Sequence, residues 1–171
     1  MPDQAHTATS STAQTILAVD DDPAILRLCA SILEQAGFTV LTGANSSEAL
    51  KLCKNHPSPI HLLLTDLVMP PPEFSFASGD NEFPNVHGHE LAVRALRMRP
   101  DLRVILMSQN IEQELAGYGL RLGPLASLPK PFEAPALLTL VRQTLQTPPL
   151  SVESLMPGPL EVVPQPDEWA G

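Results

Sequence analysis

Short apolar runs alternate along the chain with longer segments in which apolar residues recur every three or four positions. The runs suit strands buried on both faces, and the longer segments suit amphipathic helices. Strands are predicted at residues 15–19, 38–42, 61–66, 103–107 and 125–128, each followed by a helix that begins near residue 23, 46, 88, 111 or 134. Such alternation favours a parallel sheet with helices on both faces. The sequence therefore predicts an α/β fold, a doubly wound three-layer sandwich around five parallel strands.

Polar residues and glycines mark several of the predicted helix ends. Asp22 precedes a proline at the first helical position and is placed to cap the first helix. Residues 45–48, Asn-Ser-Ser-Glu, resemble a capping box for the second helix. The fourth helix is predicted over residues 111–122, but we expect it to be weak because Gly117 and Gly119 lie inside it.

Composition and charge narrow the range of functions. The chain has 171 residues and a formal net charge of −9, which argues against a nucleic-acid partner because phosphate binding needs clustered Lys and Arg. Cys29 and Cys53 lie among apolar residues and are predicted to be buried free thiols, as in a cytoplasmic protein. The sequence carries neither a signal-peptide pattern nor an apolar stretch of membrane-spanning length. We therefore expect a cytoplasmic protein without a membrane or nucleic-acid partner.

Candidate chemistry lies at the carboxyl ends of the predicted strands, which meet along the edge where open α/β sheets bind ligands. The residues at these ends are Asp20, Asp21, Asp66, Ser108 and Lys130. Clustered carboxylates repel one another unless a cation lies between them, and oxygen ligands with room for water suit Mg²⁺. A lysine and a hydroxyl at the same edge would hold oxygens of a phosphoryl group. Asp66 would then be the nucleophile that forms an aspartyl phosphate.

Four segments together resemble the receiver domain of the two-component response-regulator family. They are Ile-Leu-Ala-Val-Asp-Asp-Asp-Pro at residues 16–23, Leu-Leu-Leu-Thr-Asp-Leu-Val-Met-Pro at 62–70, Ile-Leu-Met-Ser at 105–108 and Leu-Pro-Lys-Pro-Phe at 128–132. Each segment is weak evidence alone, but all four occur in the order of the family, and each lies at a predicted strand end. The resemblance implies a flavodoxin-like (βα)5 fold.

The resemblance also implies a role for each strand-end residue. Asp66 would accept a phosphoryl group from the phosphohistidine of a sensor histidine kinase or a phosphotransfer protein, and Ser108 and Lys130 would contact that group. Mg²⁺ would be held by four oxygen ligands, which come from Asp20, Asp21, Asp66 and the backbone carbonyl of Val68. The protein would catalyse only its own phosphorylation and dephosphorylation, and would signal by binding a downstream protein.

Two features depart from the family pattern. Residues 71–87 form an insertion with three phenylalanines between the third strand and the third helix. It either covers the site, docks a partner or is a passive insertion, and we expect phosphorylation to act mainly through it. Ser127 stands where the family commonly has Tyr or Phe, so the usual output switch is expected to be weakened. His87 and His89 are expected to be surface residues rather than metal ligands.

The two ends of the chain are expected to lie outside the domain. Residues 1–14 are small and polar, and residues 147–171 are rich in proline, so both are predicted to be disordered. This leaves residues 15–146 as a stand-alone receiver domain, with residues 71–87 as its insertion loop.

Three other functions were weighed against this prediction. A phosphatase of the haloacid-dehalogenase type would need a second aspartate two residues after the nucleophile, where Val68 stands. A flavodoxin-like FMN carrier would need a phosphate-binding first loop, whereas three aspartates would repel phosphate. A receiver-like adaptor that signals without phosphorylation stays open at this stage.

Overall fold

The computed structural model describes residues 12–69 and 83–156, and these residues confirm the predicted alternation of strands and helices. The strands are β1 (Thr15–Val19), β2 (Thr39–Gly43), β3 (Leu62–Asp66), β4 (Arg103–Ser108) and β5 (Ala126–Pro129). The helices are α1 (Pro23–Gln35), α2 (Ser46–Asn55), α3 (Gly88–Met98), α4 (Ile111–Gly117), α5 (Ala134–Leu145) and α6 (Val152–Leu155). Within these two ranges, no helix has the length and apolar character required to cross a membrane.

The five strands form one parallel sheet in the order β2-β1-β3-β4-β5. In β1, Val19 lies beside Gly43 of β2 and beside Thr65 of β3. On the other side of β3, Asp66 pairs with Met107 of β4. Strand order reverses between β1 and β3, and open α/β sheets bind their ligands outside the carboxyl ends of the strands at such a point. The predicted fold class is confirmed, and its ligand edge carries Asp66.

Two apolar layers hold the helices on the sheet. The layer under α1 and α5 is packed by Ile16, Ala18, Leu33, Leu62, Leu64, Ile105, Leu137 and Val141. The layer under α2, α3 and α4 is packed by Leu17, Val19, Leu50, Leu63, Leu91, Leu96, Leu106 and Leu115. Neighbouring residues of one strand point to opposite layers, which explains why β1 and β3 are buried at every position. Cys29 and Cys53 are buried free thiols, as predicted.

The predicted caps at the starts of α1 and α2 are confirmed. The Asp22 carboxylate accepts a hydrogen bond of 2.9 Å from the backbone N–H of Ala24. At α2, the Asn45 side chain accepts from the N–H of Glu48 at 2.9 Å, and Glu48 accepts from the N–H of Ala44 at 2.8 Å. These bonds satisfy backbone donors that a helix start leaves without partners. The Asp22 bond also helps to fix the turn that follows β1, where Asp20 lies.

The predicted length of α4 was wrong. The helix ends at Gly117 instead of continuing to Leu122, and Tyr118 forms its C-cap. Gly119 has a φ of +71°, a left-handed conformation that breaks the helical path and that glycine adopts without steric cost. The bounds of β2 and β5 also lie one residue later than predicted.

The first part of the predicted C-terminal tail is folded against the domain. Residues 147–156, called the C-terminal strap below, contain α6, which packs against α3. Leu155 is buried in the layer of α2, α3 and α4, where Leu150 and Val152 are half-buried. A four-residue helix has little stability of its own, so tertiary packing holds it. The prediction of a disordered tail therefore fails for this segment.

The last residues of the insertion are anchored on α2, whereas Phe74 and Phe76 fall in the part of the insertion outside the described residues. Phe83 is buried in the apolar layer, and the ammonium of Lys54 lies 5.9 Å from the centre of its ring. The Asn85 side chain accepts from the Ser46 hydroxyl at 3.3 Å. The insertion therefore rejoins the domain before α3 begins.

Candidate functional site

The parallel register brings the predicted site residues to one edge of the sheet. Val19 pairs with Thr65, so the next residues along β1 and β3, Asp20 and Asp66, lie side by side. On β4 and β5, Ser108 pairs with Pro129, and Lys130 follows directly. The N–H of Lys130 donates to the carbonyl oxygen of Ser108 at 2.8 Å, which fixes the end of β5. Backbone pairing between the strands is thus sufficient to bring these residues to the same edge of the sheet.

Three carboxylates lie together at this edge. One carboxylate oxygen from each of Asp20, Asp21 and Asp66 lies within 4.8 Å of the others. Asp20 and Asp66 are buried, with exposures of 1% and 7%, whereas Asp21 is exposed. Asp20 Oδ1 accepts from the N–H of Asp22 at 2.9 Å, so the turn after β1 holds this carboxylate in place.

Lys130 supplies the positive charge that faces the carboxylates. Its Nζ atom lies 2.6 Å from Asp20 Oδ2 and 3.2 Å from Asp66 Oδ1. Burial alone would lower the pKa of Lys130, but the hydrogen bond to Asp20 and the charge of Asp66 raise it above its ordinary value. The ammonium therefore stays charged and bridges the two buried carboxylates.

The Asp66 carboxyl is harder to ionise than an ordinary aspartate, because its pKa is raised. Burial, followed by the charge of Asp20, raises its pKa from the ordinary 3.8 to about 6, and the charge of Asp21 acts in the same direction. Lys130 opposes this shift through its charge and its hydrogen bond. One ammonium does not balance three acids, so a further cation at this edge would favour the ionised form of Asp66.

Ser108 and Val68 complete the predicted set. Ser108 is 2% exposed, and its Oγ atom has no hydrogen-bond partner among the described residues. A buried hydroxyl without a partner is costly, and its position at the end of β4 leaves it available to a ligand oxygen. Val68 lies two residues beyond Asp66 and is 42% exposed.

This donor set fits Mg²⁺. Hard carboxylate oxygens, one of them on the exposed residue Asp21, leave room for water molecules that Mg²⁺ retains. His and Cys ligands, which softer metals prefer, are not part of this cluster of described residues. Asp20, Asp21 and Asp66 are therefore the side chains that would hold the ion, with the Val68 carbonyl as the predicted backbone ligand.

Two residues next to the site were not predicted to matter. A Cβ atom built on Gly88 would overlap the backbone carbonyl oxygen of Asp66, and the Gly88 N–H donates to the carbonyl oxygen of Leu67 at 2.8 Å. The Thr65 hydroxyl donates to the same Asp66 carbonyl at 3.0 Å. Both contacts fix the peptide that carries the candidate nucleophile. A glycine at a predicted helix start was the only sequence signal for the first.

The histidines at the start of α3 are not the surface residues that the sequence suggested. His89 is 3% exposed, and its Nε2 atom has no partner within the described part of the chain. His87 caps α3 by accepting from the N–H of Glu90, and its ring stacks on Tyr118 with a centroid distance of 4.1 Å. Ser127, at the expected switch position, is half-buried on β5.

Comparison with known proteins gives an independent view of the domain. A family model described as the response regulator receiver domain matches residues 16–73. The DNA-binding transcriptional regulator NtrC of Azospirillum brasilense is 32% identical over 142 residues, which are 82% of this chain and 26% of that protein.

Solved structures extend the similarity to the fold. A CheY-like response regulator receiver domain protein from Methanospirillum hungatei aligns with a TM-score of 0.62 and 28% identity, covering 78% of this chain and 94% of that one. A response regulator receiver protein from Sinorhizobium medicae aligns with a TM-score of 0.60 and 27% identity, with the same two coverages.

The similarity to NtrC concerns one domain. The chain spans about a quarter of the length of that relative, so the DNA binding in its name is a property of NtrC alone. Similarity in sequence and similarity in structure both concern the (βα)5 domain, and both point to receiver domains. The chain belongs to the response regulator receiver domain family.

Proposed function

We propose that this domain accepts a phosphoryl group on Asp66 from a phosphohistidine, in a reaction that requires Mg²⁺, and signals by binding a partner in the phosphorylated state. The observation that carries the proposal is the position of Asp66. Its carboxylate is at a strand end, beside two further acids and 3.2 Å from the Lys130 ammonium. A nucleophile with acids for a metal and a cation for phosphate oxygens suits phosphoryl transfer.

The transfer step moves one phosphoryl group between two proteins. A carboxylate oxygen of Asp66 attacks the phosphorus atom, and the bond between phosphorus and the donor imidazole nitrogen breaks. The electron pair of that bond stays on the nitrogen, and the product is an aspartyl phosphate. Hydrolysis reverses the modification when a water oxygen attacks phosphorus and Asp66 leaves as a carboxylate, with inorganic phosphate as the second product.

The residues around Asp66 would act on the charge of the phosphoryl group. Lys130 is already within reach of both buried carboxylates, and a small movement would let its ammonium contact a phosphoryl oxygen. Ser108 offers a buried hydroxyl without a partner among the described residues, which would donate to another oxygen. Mg²⁺ held by Asp20, Asp21 and Asp66 would neutralise the charge that develops during transfer.

The proposed partner that supplies the phosphoryl group is a sensor histidine kinase or a phosphotransfer protein. Membership of the receiver domain family and the proposed nucleophile at Asp66 support this choice of partner. The partner that reads the phosphorylated state is a downstream protein, whose binding surface is separate from the carboxylate cluster.

The test is phosphorylation by a small donor. The full chain is incubated with Mg²⁺ and acetyl phosphate, and its intact mass is measured. We expect the mass to increase by one phosphoryl group in the parent, and no increase in Asp66→Asn, since an amide is not a nucleophile. Asp101→Asn is the matched control, because Asp101 is exposed and far along the chain from the cluster. A phosphoryl group that persists in Asp66→Asn would refute the assignment of the acceptor.

The metal site is tested by a second variant. Asp21→Ala removes the exposed acid of the cluster and should weaken Mg²⁺ binding while the domain stays folded, because it relieves repulsion in the metal-free protein. Titration calorimetry with Mg²⁺ measures the affinity, and Asp101→Ala serves as control. Equal affinity in Asp21→Ala and the parent would place the metal elsewhere.

A further inference from the structure

The C-terminal strap runs along α3, and its last residues lie at the end of α3 that adjoins the phosphoacceptor. The strap starts after α5, where Arg103 Nε donates to the carbonyl oxygen of Thr147 at 3.0 Å. It then passes the C-terminal end of α3, lining a cleft with Leu96 and Arg97. Its last helical residue, Leu155, is buried, and a hydrogen bond between the His89 ring and the Leu155 backbone raises the pKa of His89 against the lowering effect of burial. The strap therefore joins one end of α3 to the other.

The hold of the strap on the domain is weak. Leu155 is the buried residue of α6, and the other residues of this helix are half-buried or exposed. The strap also borders two open clefts of about 350 and 450 Å³, so its packing is incomplete. Elements with few buried apolar contacts open locally at a small fraction of the free energy of global unfolding. The strap is thus a segment that can be released while the rest of the domain stays folded.

His89 makes this contact sensitive to the position of α3. The ring is buried beneath the strap, and its Nε2 atom has no partner among the described residues. Burial lowers the pKa of His89, as does the neighbouring His87, so the ring is neutral near neutral pH. A buried polar atom without a partner gains a hydrogen bond with water when its cover is removed. The contact between His89 and the strap therefore combines a hydrogen bond that holds the strap with an unpaired ring nitrogen that favours its release.

The start of α3 is fixed directly to the phosphoacceptor peptide. Gly88 packs so closely on Asp66 that a Cβ atom would overlap the Asp66 carbonyl oxygen, and its N–H donates to Leu67. A shift of the peptide from Asp66 to Leu67 would therefore press on Gly88, which is joined directly to His89. Contacts therefore connect Asp66 to Leu155 through Gly88 and His89.

We infer that the C-terminal strap is a releasable cover of α3, and that phosphorylation of Asp66 weakens its hold by moving Gly88 and His89. This inference rests on the proposed phosphorylation of Asp66. Phosphorylation would then be detected by a partner as a change in the packing of residues 147–156 on α3. The modified protein exposes His89 and the α3 surface that Leu155 covers, and both are available to a downstream protein.

Hydrogen exchange on the full chain tests the coupling. Exchange of residues 152–156 is followed by mass spectrometry with Mg²⁺, with and without beryllofluoride as the phosphoryl mimic, while fluorine NMR reports occupancy of the site. We expect exchange in these residues to become about fivefold faster or more, the lower end of ordinary coupling between sites. Full occupancy with unchanged exchange would overturn the strap inference and leave the proposed function intact. Failure to occupy the site would overturn both.

A pair of variants tests the reciprocal effect. If the mimic loosens the strap, loosening the strap must favour the mimic, because coupling between two sites is mutual. Leu155→Ala should therefore tighten beryllofluoride binding, by at most the factor by which the mimic accelerates exchange of the strap. Met156→Ala is the matched control, since Met156 is the next residue and is 47% exposed. Equal affinities in the two variants would overturn the inference even if exchange near the strap changed.

Discussion

Gly88 at the start of α3 packs directly on the backbone carbonyl of Asp66. A Cβ atom at position 88 would overlap that oxygen and would also crowd the Cα atom of Leu67. The neighbours are backbone atoms of a central strand end, so they cannot move aside as a flexible side chain would. The absence of a side chain at Gly88 is therefore a requirement of the site geometry.

Replacing Gly88 with alanine should destabilise the protein and disturb the site. Overpacking against fixed atoms costs about 1 to 3 kcal/mol of unfolding free energy, which urea denaturation measures. Gly117→Ala is the control, because a Cβ atom there meets no described atom within 4 Å and glycine is a poor helix former. We expect Gly117→Ala to be neutral or to stabilise the protein by up to about 1 kcal/mol. Equal effects at the two positions would contradict the packing argument.

Lys130→Ala should impair phosphorylation more than it impairs metal binding. Lys130 lies between Asp20 and Asp66, and its removal leaves the acids without their ammonium while increasing their attraction for Mg²⁺. Loss of one group that stabilises charge in the transition state typically lowers rates by about 10²- to 10³-fold. Time courses with acetyl phosphate measure the rate, and calorimetry measures Mg²⁺ affinity. Lys51→Ala, at an exposed position on α2, should change neither quantity.

Local signals in the sequence were sufficient for most of the fold. β1 has the predicted bounds and α5 begins at the predicted residue, because a buried apolar run ends abruptly at Asp20 and an amphipathic helix fills residues 134–145 without a break. The proposed site followed from the same signals, since parallel strands must bring their carboxyl ends together. The structure accordingly places Asp66 and Lys130 within 3.2 Å of each other.

The features that sequence patterns missed depend on contacts between distant residues. The contact between His89 and Leu155 arises because the strap returns to α3 after α5, and a four-residue helix has no periodicity to reveal it. Asn85 contacts the start of α2 through Ser46, a pairing across 39 positions that no local pattern encodes. The early end of α4 depends on the left-handed conformation of Gly119, whereas the apolar pattern continues beyond it.

Arg99 provides a long-range contact whose energetic role can be measured. Its guanidinium donates to the carbonyl oxygens of Cys53, His56 and Ser58 at 2.7, 2.6 and 2.9 Å, where α2 ends. Arg99→Ala would leave these carbonyls without that partner and should cost about 1 to 3 kcal/mol. Arg97→Ala, at an exposed position of α3, should cost less than about 0.5 kcal/mol. Denaturant unfolding compares the two, and similar losses would show that the three hydrogen bonds of Arg99 add no stability beyond that of an exposed arginine.

Stability without metal should fall as Asp66 ionises. Because burial, followed by the Asp20 charge, raises the pKa of Asp66 from 3.8 to about 6, the folded state binds more protons than the unfolded state between these values. Stability therefore decreases as pH rises through this window, by up to about 3 kcal/mol relative to Asp66→Asn, which lacks the titrating group.

Mg²⁺ should reverse this trend. The ion favours the ionised carboxylate, so the stabilisation that it confers should grow from about pH 5 to pH 7 and reach about 2.7 kcal/mol at a concentration one hundred times Kd. Urea unfolding with EDTA or with Mg²⁺, performed on the parent and on Asp66→Asn across this range, measures both effects. A metal-free difference between the two proteins that does not vary with pH would show that Asp66 titrates as an ordinary surface acid. An Mg²⁺ effect that is equally large in Asp66→Asn would show that Asp66 is not one of the ligands.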